Sequence, residues 1–280
     1  MQKIGAHVSA AGGVSNAPLN AQKEACEVFQ FFLNPPQTYK FTPISEEQIA
    51  AFKKNCKELG YTETYVHASY LINLCSPKNS TRYGSMSLLR KGLEEASKLG
   101  IQGMMFHTGS ATGCPDKPTA IKTAIESINK ILDGYTGSTK LLIENAAGSG
   151  NTVGVSFAEV GTLLKGIKNK KQVGVCLDTQ HSFASGYDWR TPIGTNAALK
   201  EFDKEIGLKN LTVIQANDSK VDCGANKDRH EHIHLGKMGT TAFKNLLHHP
   251  KLANTAFVLE TEPEGRAQDM AWLKKFRNKK

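Results

Sequence analysis

The sequence lacks the features of membrane-spanning and secreted proteins. No stretch of its 280 residues approaches the roughly 20 consecutive apolar residues that a membrane helix needs. The first segment, MQKIGAHVSAAGG, has no continuous apolar region of the kind found in secretory signals. The six cysteines are scattered and form no C-x-x-C pair, which is typical of the reducing cytosol. We therefore expect a cytoplasmic protein without membrane contact, associated with the nucleoid, or nuclear if the source is eukaryotic or viral.

Linkers and nucleotide-binding motifs are also missing. No low-complexity segment and no run rich in proline, glycine or serine divides the chain. We therefore predict a single domain over residues 1–280, a length common for barrels of alternating strands and helices. No G-x-G-x-x-G or G-x-x-x-x-G-K-[ST] motif follows a strand, which excludes the usual nucleotide fingerprints.

Acidic residues are fewer than basic residues in this chain. The chain has 26 acidic and 35 basic residues, for a formal net charge of +9. A basic surface attracts polyanions such as nucleic acid. Basic runs such as KNKK at 168–171 are more often solvated loops, so charge alone does not establish DNA binding.

Short apolar segments alternate with amphipathic ones along the chain. They lack polar alternation, which is typical of parallel strands buried on both faces. The predicted strands are IGAHVS (4–9), VFQFFL (28–33), TYVHAS (64–69), GMMFHTG (103–109), LLIENAAG (141–148), VGVCLDT (173–179), LTVIQAND (211–218) and AFVLETE (256–262). Helices are predicted over 45–60, 85–100 and 117–132, and the first two end in Leu-Gly, a common helix-ending signal. The pattern predicts a (β/α)₈ TIM barrel, with an open doubly wound sheet as the competing fold.

Histidines and carboxylates recur at or just after the ends of these predicted strands. In a parallel barrel those ends converge on one face, where the active site lies. The set comprises His67, His107, Glu144, Asp178, His181, Asp228, His230 and Glu260. So many ionisable groups at one mouth need cations to compensate their charge. We predict a cluster of two or three metal ions with a bridging carboxylate, and the donor types favour Zn²⁺, with Mn²⁺ or Fe²⁺ as alternatives.

A multi-metal site in a basic protein indicates phosphodiester hydrolysis. Metal ions activate water, clamp phosphoryl oxygens and stabilise the leaving oxygen. The main alternative is a metal-dependent sugar isomerase or epimerase of the same barrel class, which needs fewer ions and usually a base such as lysine. Asp228 and His230 are spaced to reach one ion, whereas Asp178 and His181 suit two adjacent ions. A centre with this many ions is more than an isomerase needs.

At these motifs the sequence resembles the endonuclease IV family of AP endonucleases. The matching motifs are IGAHVSAAGG (4–13), SYLINL (69–74), FHTGS (106–110), IENAAG (143–148), GVCLDTQHSFASGYD (174–188), NDSK (217–220), DRHE (228–231) and LETEP (259–263). The resemblance covers essentially the whole chain. It implies a three-zinc barrel that cleaves double-stranded DNA 5′ to abasic sites in base-excision repair, leaving a 3′-hydroxyl and a 5′-deoxyribose phosphate. It also implies trimming of blocked 3′ ends; we expect a monomer.

The resemblance further implies a role for each member of the set. The implied ligand sets are His67, His107 and Glu144 for one zinc, Glu144, Asp178 and Glu260 for a second, and His181, Asp228 and His230 for a third. Glu144 is the implied bridge. Glu260 would also orient the nucleophile, so Glu144 and Glu260 are the predicted catalytic residues.

Two departures from the family pattern lie near these ligands. Gln215 stands where the family has a histidine ligand to the second zinc, and a neutral amide oxygen is a poorer zinc donor than imidazole. We therefore expect a weaker second ion, a harder metal there, or an extra water ligand. The same change leaves open a second hypothesis, that the protein is a catalytically weakened relative that binds DNA lesions. Gln180 replaces the family's usual cysteine at a position that is not a ligand, so little consequence is expected.

The DNA-binding positions are matched in part. Tyr70 and Leu71 fit the loop that the family inserts at the abasic gap, and Asn34 is retained in a second loop at 34–40. Pro36 in that loop stands where the family often has arginine, so a guanidinium that could bind phosphate is absent. We therefore expect either that other basic residues compensate for the missing arginine or that the affinity of the protein for the lesion is lower. His7 lies outside the implied ligand set and is expected near the periphery of the metal site or the phosphate.

Overall fold

Eight parallel strands close into a barrel in the computed structural model, which describes residues 1–279. The barrel strands are β1 (Ile4–His7), β2 (Phe29–Phe32), β3 (Thr64–His67), β4 (Gly103–His107), β5 (Lys140–Glu144), β6 (Val173–Asp178), β7 (Leu211–Gln215) and β10 (Ala256–Leu259). Strand β10 closes the ring by pairing with both β7 and β1. The predicted (β/α)₈ barrel is therefore confirmed, and the open sheet is excluded.

Helices connect the strands and cover the outside of the barrel. They are α1 (Asn16–Lys23), α2 (Glu46–Glu58), α3 (Asn79–Leu99), α4 (Lys117–Leu132), α5 (Phe157–Gly166), α6 (Thr179–Ala184), α7 (Pro192–Glu205), α8 (Gly239–His248) and α9 (Pro263–Asn278). Helix α4 has the predicted bounds, whereas α3 begins at Asn79 rather than at residue 85. Its first turn has no apolar periodicity, and Arg82 anchors that turn by donating to the carbonyl of Ser76 and the side chain of Asn79.

Local sequence signals set the helix ends. Ser45 and Asp116 cap α2 and α4, since each side chain accepts a hydrogen bond from a backbone N–H three residues later. Gly100, with φ of 81°, ends α3, and Gly60, with φ of 75°, follows the end of α2. The two predicted Leu-Gly stops are therefore confirmed, because both glycines adopt the left-handed conformation that glycine tolerates best.

Apolar side chains form two layers, one between the barrel and its helices and one inside the barrel. The inner layer consists of Val28, Tyr65, Met105, Leu142, Cys176, Val213, Ala256 and Val258. Because side chains alternate between the two faces of a strand, the residue two positions later on each strand also points inward. That next layer is polar and lies at the C-terminal mouth of the barrel.

The predicted seventh strand is shorter than expected. It ends at Gln215, and Asp218–Ser219 (β8) pairs instead with His230–Glu231 (β9) in a separate antiparallel ribbon. The buried carboxylate of Asp218 accepts backbone hydrogen bonds from Ser219 and Met238 and so turns the chain back. This ribbon brings His230 to the barrel mouth. No helix within residues 1–279 combines the length and apolar character that crossing a membrane requires.

Candidate metal centre

One inward-facing side chain from each barrel strand contributes to a polar ring at the C-terminal mouth. The ring consists of His7, Gln30, His67, His107, Glu144, Asp178, Gln215 and Glu260. Except on β1, each ring member lies two residues beyond a side chain of the inner apolar layer. Five of the eight predicted metal ligands belong to this ring. The other three, His181, Asp228 and His230, are supplied by the segments that follow β6 and β7.

Glu144 is the centre of this arrangement. Its fully buried carboxylate lies 3.1 Å from Nε2 of His67, 3.0 Å from Nε2 of His107 and 3.2 Å from Nδ1 of His181. Each oxygen therefore faces at least one imidazole nitrogen. A carboxylate placed in this way can bridge two cations.

Asp178 has two roles in the local structure. Its Oδ1 accepts a hydrogen bond of 2.7 Å from the backbone N–H of His181 and so caps the short helix α6. This cap explains the Asp-x-x-His spacing, because the first helical turn places His181 over the barrel mouth. Asp178, Glu144 and Glu260 each offer an oxygen within 4.8 Å of the others. These three carboxylates form the predicted second set.

The three residues of the predicted third set also meet. Nε2 of His181 lies 3.3 Å from the Asp228 carboxylate and 3.4 Å from Nε2 of His230. Nε2 of His230 lies 3.5 Å from Asp228 and 3.7 Å from Asp178. The structure thus brings all eight predicted ligands together in three adjoining groups, although their roles as ligands stay a prediction.

Backbone carbonyls orient two of the imidazoles in a way that suits metal binding. Nδ1 of His67 donates to the carbonyl of Ala68 at 2.7 Å, and Nδ1 of His181 donates to the carbonyl of Asn145 at 3.0 Å. With its proton on Nδ1, each ring presents Nε2 as a lone-pair donor to the centre. Metal-binding histidines generally have such a partner on the other nitrogen.

The charges of the buried groups compensate one another. Burial alone would raise the pKa of Glu144, but the imidazoles of His107, His181 and His67 hold it well below its usual range. Burial opposes a charge on His67, yet Glu144 raises the pKa of that imidazole to about 9. Protons and metal ions compete for the same nitrogen and oxygen atoms. A site that stabilises imidazolium so strongly is suited to divalent cations.

Several residues that support the predicted ligands were not identified as functional from the sequence. The Asn145 side chain accepts from the backbone N–H of Asp178 at 2.8 Å and donates to the carbonyl of Asp178 at 3.1 Å. Asn217 donates to the Asp178 carboxylate and accepts from the backbone N–H of Glu260. Their positions in the sequence are the signal that could have identified them, because Asn145 directly follows Glu144 and Asn217 lies two residues beyond the end of β7.

Gln180 has a larger role than its sequence position suggested. Its fully buried amide donates to the carbonyl of Lys227 at 3.0 Å and accepts from the backbone N–H of Arg229 at 3.3 Å. These bonds bracket Asp228 on both sides. The expectation that this position matters little is corrected, because Gln180 holds the loop that carries a predicted ligand.

Gln215 belongs to the ring but to none of the donor groups. Its Oε1 accepts a hydrogen bond of 3.2 Å from the thiol of Cys176, whereas its buried Nε2 has no hydrogen-bond partner among residues 1–279. An unpaired buried N–H destabilises the folded state. A rotation of the amide by 180° would exchange the positions of Oε1 and Nε2. The effect of Gln215 on the second ion stays a prediction.

The predicted DNA-binding residues lie on two loops beside the centre. Tyr70 and Leu71 are 59% and 37% exposed, and Pro36 accepts hydrogen bonds from Ser69 and Tyr70 that join the loops. Asn34 turns inward, because its Oδ1 accepts from the backbone N–H of Thr42. Asn34 therefore shapes its own loop, and direct contact of these residues with DNA stays a prediction.

Comparison with known sequences identifies relatives over nearly the full chain. A family model described as "Xylose isomerase-like TIM barrel" matches residues 19–276. A protein named "Probable endonuclease 4" from Campylobacter hominis is 38% identical over 266 residues, which is 94% of this chain and 94% of the relative. The protein of the same name from Campylobacter concisus is 39% identical, with 96% of this chain and 95% of the relative covered.

Solved structures agree with these relationships. The crystal structure of endonuclease IV from Thermus thermophilus superposes with a TM-score of 0.86 at 29% identity, covering 98% of both chains. The crystal structure of a D-tagatose 3-epimerase-like protein superposes with a TM-score of 0.75 at 14% identity, covering 98% of this chain and 97% of the other. The second likeness concerns the barrel fold alone.

Proposed function

Because the chain belongs to the endonuclease IV family of xylose isomerase-like TIM barrels, it is a hydrolase of phosphodiester bonds in DNA, and we propose that it incises double-stranded DNA 5′ to abasic sites. Cleavage leaves a 3′-hydroxyl and a 5′-deoxyribose phosphate. The same centre trims blocked 3′ ends. The protein acts as a monomer in the cytoplasm, in base-excision repair.

The observation that carries this proposal is the adjacency of three donor groups at one barrel mouth. Donor atoms within 4.8 Å of one another come from His67, His107 and Glu144, from Glu144, Asp178 and Glu260, and from Asp178, His181 and His230. The groups share the carboxylates of Glu144 and Asp178, so ions held in them would be neighbours. This arrangement suits a phosphodiester, which has attacking, leaving and non-bridging oxygens to stabilise.

Three Zn²⁺ ions fit these groups. Imidazole nitrogen and carboxylate oxygen are zinc donors, and the partly exposed His107 and His230 leave the centre open on one side. Bound ions supply Lewis acidity towards phosphoryl oxygens and make water more acidic. Mn²⁺ is the alternative occupant of the group beside Gln215.

The residues of the chain supply position and charge. Glu144 is fully buried and holds the first and second groups together, while Glu260 is partly exposed at the cavity and orients the nucleophile. Tyr70 and Leu71 occupy the gap left by the missing base and keep the lesion strand at the centre. The excess of basic over acidic residues favours the approach of DNA.

A lesion-binding relative with weak catalysis is the second candidate. Gln215 favours it, because a neutral amide at this ring position contributes less to a second ion than imidazole would. Such a protein binds an abasic duplex and leaves both strands intact.

Incubation with a defined abasic duplex tests the proposal. We expect incision 5′ to the abasic site with a 3′-hydroxyl product, loss of incision with a strong chelator, and recovery on addition of Zn²⁺. A gel shift without incision under Zn²⁺, Mn²⁺ and Fe²⁺ would support the lesion-binding candidate. Neither binding nor incision, with conversion of a ketose sugar, would support an epimerase.

A further inference from the structure

Besides Gln215, two members of the polar ring are left over when the predicted metal ligands are assigned. They are His7 at the end of β1 and Gln30 on β2, which face each other in the parallel register of the two strands. Gln30 is fully buried, and the His7 side chain is 17% exposed. Both lie next to Glu260, a member of the second donor group.

The hydrogen bonds of Gln30 fix the orientation of its amide. Its Nε2 lies 2.5 Å from Oε1 of Glu260 and 2.8 Å from Nδ1 of His7. An ionised carboxylate only accepts hydrogen bonds, so the amide nitrogen must face Glu260. The opposite orientation would place two acceptor oxygens in contact.

The same bonds fix the tautomer of His7. The second N–H of the Gln30 amide points at Nδ1 of His7, which therefore accepts. The proton of the neutral imidazole then resides on Nε2. Nδ1 also lies 3.8 Å from Glu260, beyond hydrogen-bonding distance.

The His7 ring is held in place from other sides as well. It packs against Phe32 with ring centroids 4.4 Å apart, and Arg266 donates to the His7 backbone carbonyl at 2.7 Å. Its Nε2 makes no hydrogen bond within the described chain and is not enclosed by it. His7 lines a cavity of about 390 Å³ together with Glu260, His67 and Tyr70. A fixed N–H donor thus faces the space beside the metal centre.

We propose that His7 donates a hydrogen bond from Nε2 to a phosphate oxygen of the DNA strand in this cavity, and that Gln30 acts as the positioning residue that keeps the proton on that nitrogen. The inference rests on the proposed function for the identity of the anion. Anionic oxygen is the ligand that suits a lone N–H donor beside bound cations. The competing role for His7 is structural, as a support for Gln30 and Glu260 only.

Two substitutions of His7 separate these roles. His7→Phe keeps a ring against Phe32 and removes both nitrogens, whereas the amide nitrogen of His7→Gln reaches the place of Nε2. We expect His7→Phe to lower kcat/KM by about 10- to 100-fold, the usual effect of losing a hydrogen bond to a charged group. His7→Gln should recover most of that loss. His249→Phe, a surface substitution of the same chemistry, is the matched control and should leave the rate unchanged.

Three readouts show whether the effect is on the phosphate rather than on the metals. Metal content per chain should be equal in wild type and His7→Phe. Inorganic phosphate should inhibit His7→Phe more weakly by a factor similar to that in kcat/KM. In the zinc-loaded protein, ¹⁵N-histidine spectra should show His7 as the neutral Nε2–H tautomer. This signal should be absent in His7→Phe, and in Gln30→Met it should be replaced by signals of a mixture of tautomers.

Each contrary outcome is distinct. If wild type incises abasic DNA and His7→Phe incises equally well, the inference falls and the proposed function stands. If His7→Phe loses metal, or if His7→Gln is as slow as His7→Phe, His7 has only the structural role. If the wild type does not incise at all, the proposed function fails. In that case phosphate binding still tests the inference, because an unchanged phosphate affinity in His7→Phe would contradict it.

Discussion

The side chain of Asn217 donates a hydrogen bond of 2.7 Å from Nδ2 to Oδ2 of Asp178. Its Oδ1 accepts a hydrogen bond of 2.8 Å from the backbone N–H of Glu260. One fully buried amide therefore positions two predicted ligands of the same group, on strands that are not neighbours in sequence. Partners of this kind commonly contribute about 10- to 100-fold to metal affinity.

We expect Asn217→Ala to weaken binding of the second ion by about 10- to 100-fold. Calorimetric titration of chelated protein with Zn²⁺ measures this change. Asn245→Ala removes a part-buried amide that bonds only the carbonyl of Trp189, and it should leave zinc affinity unchanged. Equal zinc affinity in Asn217→Ala and wild type would show that Asp178 keeps its position without the amide.

We expect Gln215→His to raise both zinc content per chain and incision rate, because imidazole is the stronger zinc donor and the substitution removes the unpaired amide N–H group. Elemental analysis and single-turnover kinetics measure the two effects. Gln215→Met provides the comparison, since it keeps the side-chain length and removes both donor and acceptor. Equal metal content and equal rates in the wild type and Gln215→His would refute the idea of a weakened second site.

We expect Gln180→Met to release the loop around Asp228 and to weaken the third ion. Of the three lost hydrogen bonds, one is to the Ser219 hydroxyl and two are to backbone groups of Lys227 and Arg229, on either side of that predicted ligand. Zinc content should fall below that of the wild type by up to one ion per chain, with lower activity. Gln172→Met is the control. It removes a side-chain hydrogen bond to the Gly137 carbonyl and should retain the full zinc content of the wild type. Full zinc content in Gln180→Met would contradict the proposed role.

A carboxylate far from the centre gives a pH-dependent prediction. Glu27 accepts from Arg277 at 2.5 Å and from the backbone N–H of Ile4 at 3.0 Å, linking α9 to β1. Burial would raise the pKa of Glu27, but the hydrogen bond from Arg277 lowers it below its usual value. A depressed pKa stabilises the fold above the unfolded value of about 4.3, and the benefit disappears as pH falls through the folded value.

We expect Glu27→Gln to lower the free energy of unfolding by about 1 kcal/mol at pH 7, after allowance for solvent screening. The deficit should shrink at pH 3. Urea denaturation of chelated protein measures both values. Glu58→Gln is the control, because its ion pair with Lys54 is 3.9 Å long and exposed. An equal deficit at both pH values would show that the charge of Glu27 is not responsible.

Much of the candidate centre could be predicted because strand ends are visible in sequence. His67, His107, Glu144 and Glu260 each follow a short apolar run at the point where a barrel strand ends or just beyond. Asp178 and His181 could be predicted together, since the carboxylate caps the helix that carries the imidazole. Local rules of alternation and capping are sufficient for these residues.

The sequence by itself determined the fold class, the donor types at the barrel mouth and the family, because these depend on local periodicity and residue chemistry. Only the tertiary structure decided which side chains hold those donors. Gln30 meets Glu260 across 230 positions of the chain, and Gln180 meets Arg229 across 49. Such pairings follow from closure of the barrel and from the turn after β7, and no local pattern records which distant amide a carboxylate or a loop will contact.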